Sequence, residues 1–298
     1  MKISLGSWAF TFGPYSTHPV PLEQVVARLS EVGYDGIELS GFPPHVSLEE
    51  YRSEEARRLL RDRLSGANLQ ISGYAPDLSL VNPCAAGNNQ RYLELFDRNV
   101  ELCAALGSPM IRVDSGTAPE ALDEEVTAAA MSRLADVWHH AAGIAARSGV
   151  SVAWEFEPSF VFHRPSEVVA LHRQVGHANF RVLFDTAHAH TCSAVGARQR
   201  GRKETLAGGI ADFLKLLEGR IGHVHLVDSD GTLYEDETSR HCPFGEGQVP
   251  FFNLAQKLRS AGAAWWCVDL CFCEGSWEQV EPSLKYVRSL SRASSGGY

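Results

Sequence analysis

Apolar and polar positions along this chain switch between two periods. Short, mainly apolar runs at residues 2–7, 35–39, 69–74 and 110–113 read as strands, and the stretches after them, 21–31, 48–64, 90–106 and 121–147, carry a helical repeat. The second half continues the alternation. Strands are expected at 150–157, 181–185, 221–227 and 265–270, with helices opening at Pro165 and Ser166 and lying near 206–217, 252–261 and 277–290. Eight strands alternating with eight helices predict a parallel (β/α)8 barrel, which closes on itself and leaves no exposed edge. The structural alternative is an open, doubly wound sheet. Against it, no Gly-x-Gly-x-x-Gly turn follows the first strand, and the candidate reactive residues end many strands instead of gathering at one switch point. The expected organisation is one domain over residues 1–298, with a short frayed tail at 294–298.

Composition narrows the class of partner. Hydrophobic residues make up 44% and charged residues 21% of the 298, enough to bury a large core. A net charge of −9 gives no general attraction to a phosphate backbone or an anionic lipid surface, so neither nucleic acid nor membrane is the expected partner. Basic residues do gather at Arg198, Arg200, Arg202 and Lys203, a group able to bind a phosphate but read more simply as a solvated loop. The first twelve residues lack a signal-peptide pattern, and no stretch approaches the roughly 20 apolar residues of a membrane span, so a cytoplasmic protein is expected. Seven cysteines, an odd number, argue for reduced thiols. Cys271 and Cys273 flank one residue, but no second thiol pair completes a soft-metal site.

Four expected strands end in metal-capable residues: Glu155, Asp185, His225 and Asp269, spaced about 30 to 44 residues apart. In a parallel barrel the C-terminal strand ends face the active-site mouth, so these ends would converge. Glu155 and Glu157 are two apart and share a strand face; either is the ligand, and the other then serves as a hydrogen-bonding or substrate group. Asp185-Thr186-Ala187-His188 offers a ligand and a substrate contact from one turn. His223 and His225 share a face, and His225 lies nearer the mouth. A site of oxygens with one imidazole suits Mn²⁺ first, then Mg²⁺ or Zn²⁺. Arg240, His241 and Glu246 occupy a glycine-bearing loop whose polar groups could bind substrate, or which is an ordinary surface turn.

On these residues the chain resembles the xylose isomerase-like TIM barrel superfamily, which includes sugar-phosphate isomerases, epimerases and endonuclease-IV-like enzymes. The matching segments are Tyr34-Asp35-Gly36-Ile37-Glu38, Val152-Ala153-Trp154-Glu155, Phe184-Asp185-Thr186-Ala187-His188, His223-Val224-His225-Leu226, Phe244-Gly245-Glu246-Gly247 and Val268-Asp269. For the ketose epimerases of this group the resemblance implies one metal held by Glu155, Asp185 and His225, with Asp269 standing where the family usually has Glu. It also implies a substrate contact from His188. Endonuclease-IV-like members bind three metals through additional histidines; here the third and fourth strand ends offer Tyr74 and Asp114, and the later Asp-x-His reads Ser239-Arg240-His241.

The expected chemistry is proton abstraction beside a carbonyl of a sugar, with the metal stabilising the enediolate, Glu155 and Asp269 handling the proton, and His188 steadying an oxygen. Glu157, Arg240, His241 and Glu246 are expected to contact substrate. The chain also resembles the larger subunit of bacterial C-glycoside deglycosidases, which implies an alternative: a lyase acting on 3-oxo-C-glycosides with a small β-rich partner subunit, in place of a homo-oligomer. Trp8, Phe10, Phe12, Tyr15, Tyr74, Phe160, Phe162, Trp265 and Trp266 would then supply a cleft for a flat aglycone, or simply core. A third class is a sugar-binding protein on a decayed barrel.

Overall fold

A computed structural model describes residues 1–122 and 124–292. The predicted tail at 294–298 lies outside the described residues. Strands β1 (Lys2–Gly6), β2 (Gly36–Ser40), β3 (Gln70–Ala75), β4 (Met110–Val113), β5 (Ser151–Glu155), β6 (Phe180–Asp185) and β7 (Ile221–Leu226) run in parallel sequence. A small hairpin, β8 (Leu233–Tyr234) and β9 (Thr238–Ser239), interrupts the pattern before β10 (Trp265–Val268). The last strand closes the ring by pairing with β1, Lys2 opposite Trp265 through Leu5 opposite Val268. The chain is thus a closed eight-stranded parallel barrel, a (β/α)8 TIM barrel.

The surrounding helices are α1 (Leu22–Val32), α2 (Glu54–Gly66), α3 (Asn89–Leu106), α4 (Glu124–Arg147), α5 (Pro165–Val175), the short α6 (Thr186–His190), α7 (Gly209–Leu216), α8 (Phe251–Ser260) and α9 (Ser276–Arg292). Their limits differ from the periodic pattern for local reasons. Helix α2 begins at Glu54 instead of near Leu48, because the Ser53 hydroxyl accepts the Ala56 N–H and caps the first turn. Strand β5 stops at Glu155, two residues short of Glu157. The hairpin was not legible as strands because each arm is only two residues long.

Strand alternation sorts side chains into layers. Val152 and Trp154 of β5 are buried against the helices, where Trp154 meets Trp138 of α4 with ring centroids 5.3 Å apart. Their neighbours point to the barrel axis. Ala153, Met110 and Leu183 form a small separate apolar cluster there, and the residues two further along the same strands are Glu155, Arg112 and Asp185. A polar layer therefore sits on an apolar plug. No helix among the described residues is long and apolar enough to cross a membrane.

Candidate active site

Glu155, Asp185 and His225 come from the ends of β5, β6 and β7, and Asp269 is the residue after β10. Each offers one donor atom, and the four atoms lie within 4.8 Å of one another. His225 Nδ1 is 3.0 Å from Glu155 Oε1 and 3.8 Å from Asp269 Oδ2. All four residues are buried. Asp185 Oδ1 accepts the His188 N–H at 2.8 Å, capping α6, while its Oδ2 is buried with no hydrogen-bond partner. Asp269 Oδ1 accepts from the Trp8 indole at 2.9 Å and from the Cys271 N–H at 2.8 Å, which leaves Oδ2 toward His225.

The electrostatics of this group are divided. Burial pushes the Asp185 carboxyl well above its ordinary value, and repulsion from Asp269 and Glu155 adds to it. Burial also acts against ionised Glu155, but Arg112 and His225 outweigh it and hold that carboxyl well below the usual range. His225 goes the other way from its burial, raised well above an ordinary imidazole by Glu38 and Glu155. Three convergent carboxylates, an orphaned Asp185 oxygen and one imidazole make a donor set that suits a hard or borderline divalent cation. Sequence and structure thus bring together the four residues anticipated as ligands.

Around this group lie His188, His241 and Glu157. His188 Nδ1 is 3.0 Å from the Ser239 hydroxyl, and its Nε2 faces Glu157 Oε2 at 3.9 Å. His241 lies tilted against His188, centroids 5.4 Å apart; neither of its buried ring nitrogens has a hydrogen-bond partner, and its Nδ1 faces Asp269 Oδ1 at 4.0 Å. Burial pushes both imidazoles down to about 4. Glu157 lies beyond the strand end, accepts from Thr238 Oγ1 at 2.7 Å, and is pushed up to about 7 by burial and by Glu155. Glu155, Glu157, His188, His241 and Asp269 all line one cavity of about 280 Å³ at the barrel mouth.

Two residues expected to contact substrate lie away from this cavity. Arg240, with 53% of its side chain exposed, faces Asp230 outside the cavity, because alternation along the chain turns Ser239 and His241 inward and Arg240 outward. Glu246 is exposed as well. Its loop is folded around the Asp228 carboxylate, which accepts the N–H groups of Gly245, Gly247 and Val249 at 2.9 to 3.1 Å and leaves Glu246 pointing away. A Cβ at Gly247 would sit 2.2 Å from Asp228 Oδ1, so only glycine fits that approach.

The aromatic expectation divides too. Trp8, Phe12 and Phe160 line the cavity, joined by Phe42 and Phe272. Phe10, Tyr74 and Trp266 are fully buried core, and Trp265 is paired with Lys2 at the opposite end of the barrel. The sequence reading missed Arg112, Trp8 as the clamp on Asp269, and the second carboxylate beside His225, Glu38. Arg112 and Glu38 each carried a signal, a charge inside an apolar strand, and Trp8 carried none. The basic loop borders a different cavity, where Arg198 is paired with Glu120.

A parallel barrel with a carboxylate and imidazole cluster at its C-terminal mouth defines a class of barrel proteins with metal-capable sites. The chain belongs to the xylose isomerase-like TIM barrel family, whose model matches residues 26–290. A human protein named "Putative hydroxypyruvate isomerase" is 24% identical over 183 residues, 59% of this chain and 58% of that protein. The match thus spans little more than half of that relative's length. Among solved structures, the D-psicose 3-epimerase of Clostridium cellulolyticum H10 with D-tagatose superposes with a TM-score of 0.71 at 15% identity, covering 98% of this chain and 100% of that one. The 3-keto-D-glucoside 4-epimerase of E. coli gives 0.69 at 16% identity, covering 97% and 99%. At these identities the structural likeness establishes the fold.

Proposed function

We propose that this protein is a divalent-metal-dependent enzyme of the sugar isomerase or epimerase type, which moves a proton at the carbon next to a carbonyl. The observation that carries the reading is the convergence of Glu155, Asp185, His225 and Asp269, whose donor atoms lie within 4.8 Å of one another, with Glu155 and Asp269 lining the mouth cavity. These four residues would hold the cation, Mn²⁺ before Mg²⁺ or Zn²⁺ given three oxygen donors and one nitrogen. When bound, it supplies Lewis-acid stabilisation of the negative charge that develops on the substrate oxygen.

The chain's own residues do the rest. Asp269 has one oxygen fixed by Trp8 and Cys271 and the other open, so its carboxylate is oriented without being saturated. Glu155 is likewise held by Arg112 through Oε2, with Oε1 turned to the centre. These two carboxylates take and return the proton. His188, fixed by Ser239, steadies a substrate oxygen, and Glu157 and His241 hold hydroxyl groups nearer the rim. The relatives named for hydroxypyruvate and ketose chemistry are in keeping with a small carbonyl substrate.

The aromatic rim favours one second reading. Phe12, Phe42, Phe160 and Phe272 give the polar floor an apolar collar suited to a flat substituent, as a lyase of 3-oxo-C-glycosides with a small β-rich partner would need. The likeness to a 3-keto-glucoside epimerase is compatible with an oxo-sugar in either case. The test is incubation of the Mn²⁺-loaded protein in deuterated water with ketoses and with 3-oxo-glycosides. Deuterium at the carbon beside the carbonyl is expected in recovered substrate or product; its absence from both substrate classes contradicts the proposal.

A further inference from the structure

Beneath the mouth lies a second carboxylate that the proposed chemistry does not use. Glu38, in β2, is fully buried, and its Oε2 is approached by two imidazoles at once: His223 Nε2 at 2.7 Å and His225 Nε2 at 3.2 Å. The two rings stand almost perpendicular, centroids 5.3 Å apart. On its far side His225 turns Nδ1 to Glu155 Oε1, and the Trp8 indole lies 5.3 Å from its ring. His225 is therefore held at both ring nitrogens and flanked by an indole.

Space for this arrangement is made on purpose by the neighbouring strand. Glu38 is paired with Gly73 of β3 at a register shift, and a Cβ on Gly73 would lie 3.2 Å from Glu38 Cδ and 2.5 Å from Met110 Cε. Glycine at this position leaves room for the Glu38 side chain to cross the barrel interior toward β7, where a larger residue would crowd it and Met110.

We propose that Glu38 is a positioning residue: by accepting the Nε2–H of His225 it fixes the tautomer in which Nδ1 is free to bind the cation that Glu155, Asp185 and Asp269 would share, while His223 clamps the same carboxylate from below. This inference rests on the cation reading proposed above. A carboxylate behind a ligating imidazole both orients the ring and strengthens it as a donor. Glu38, His223, His225 and Cys267 also have donor atoms within 4.8 Å of one another, which raises a second cation site as the rival. Against that rival, Glu38 Oε2 already faces two imidazole nitrogens at 2.7 and 3.2 Å, and the fourth donor would be the Cys267 thiol, which donates to the Val268 carbonyl; the number of ions bound separates the two.

Two measurements on the full chain test this. The first needs no variant: ¹⁵N NMR of the histidine-labelled, Zn²⁺-loaded protein should show His225 protonated at Nε2 and cation-bound at Nδ1, and the opposite tautomer overturns the inference. The second is titration with Mn²⁺ alone. Glu38→Gln should bind about 10- to 100-fold more weakly than the unaltered chain, at an unchanged one ion per chain. Equal affinity overturns the role of Glu38, and so does a stoichiometry of two ions that falls to one in Glu38→Gln. If the unaltered chain binds no cation, the functional reading fails along with this inference; if it binds one and Glu38→Gln matches it, only this inference fails.

Discussion

The Arg112 guanidinium donates to Glu155 Oε2 at 2.6 Å inside the barrel mouth, while its other nitrogen reaches Asp114 Oδ2 at 3.0 Å. Among the described residues, Arg112 is the one lysine or arginine lining the cavity that holds Glu155, Glu157 and Asp269. Its side chain is only 18% exposed and Glu155's 2%, so solvent replaces little of what the pair provides.

Removing one partner of such a pair leaves a buried charge uncompensated, at a cost of about 3 kcal/mol or more. Arg112→Met should lose that much stability in urea unfolding of the metal-free protein. A loss below about 1 kcal/mol, as for an exposed pair, would mean the contact is not formed in solution.

Asp269 gives a second prediction. Trp8 and the Cys271 N–H hold its Oδ1 at 2.9 and 2.8 Å, so the carboxylate is cut to the length of an aspartate. Asp269→Glu, although it supplies the residue usual in the epimerases, should break both bonds and weaken Mn²⁺ binding by about 10-fold or more. Isothermal titration checks this, and equal or tighter binding would show that the extra methylene is accommodated.

A third concerns pH and lies away from the site. His45 is fully buried, its Nε2 donating to the Val20 carbonyl at 2.9 Å and its Nδ1 lacking a partner. Burial therefore holds it below the ordinary 6.5. Below that value the unfolded chain takes up a proton that the folded chain refuses, so stability falls as pH drops toward the folded value, by at most about 1.4 kcal/mol per pH unit. His45→Gln, which can still donate to Val20, should show a shallower decline below pH 6.5 in thermal melts. An unchanged slope would contradict it.

Much of this fold was legible because a barrel writes its plan locally. Each strand is a short apolar run, a helix lies between each barrel strand and the next, and the four strand-end residues needed only the rule that such ends share one rim. What escaped depends on closure. Glu38 meets His223 and His225 across 185 and 187 residues, and nothing local to residues 34–38 says that the side chain crosses the axis. Phe42 and Phe272 reach the rim only through loops whose course is set by neighbouring strands. Arg240 and Glu246 fall outside the cavity for the converse reason: a polar loop near the mouth has two faces, and here one of them is taken up by Asp228 and the hairpin.

The central claim is that Glu155, Asp185, His225 and Asp269 hold one divalent cation. Asp185 tests it most directly, since its Oδ2 is buried without a partner. Metal analysis after Mn²⁺ loading and desalting should find one ion per chain in the unaltered protein and none in Asp185→Ala, with circular dichroism unchanged. A folded Asp185→Ala protein that keeps its full equivalent of metal would contradict the account.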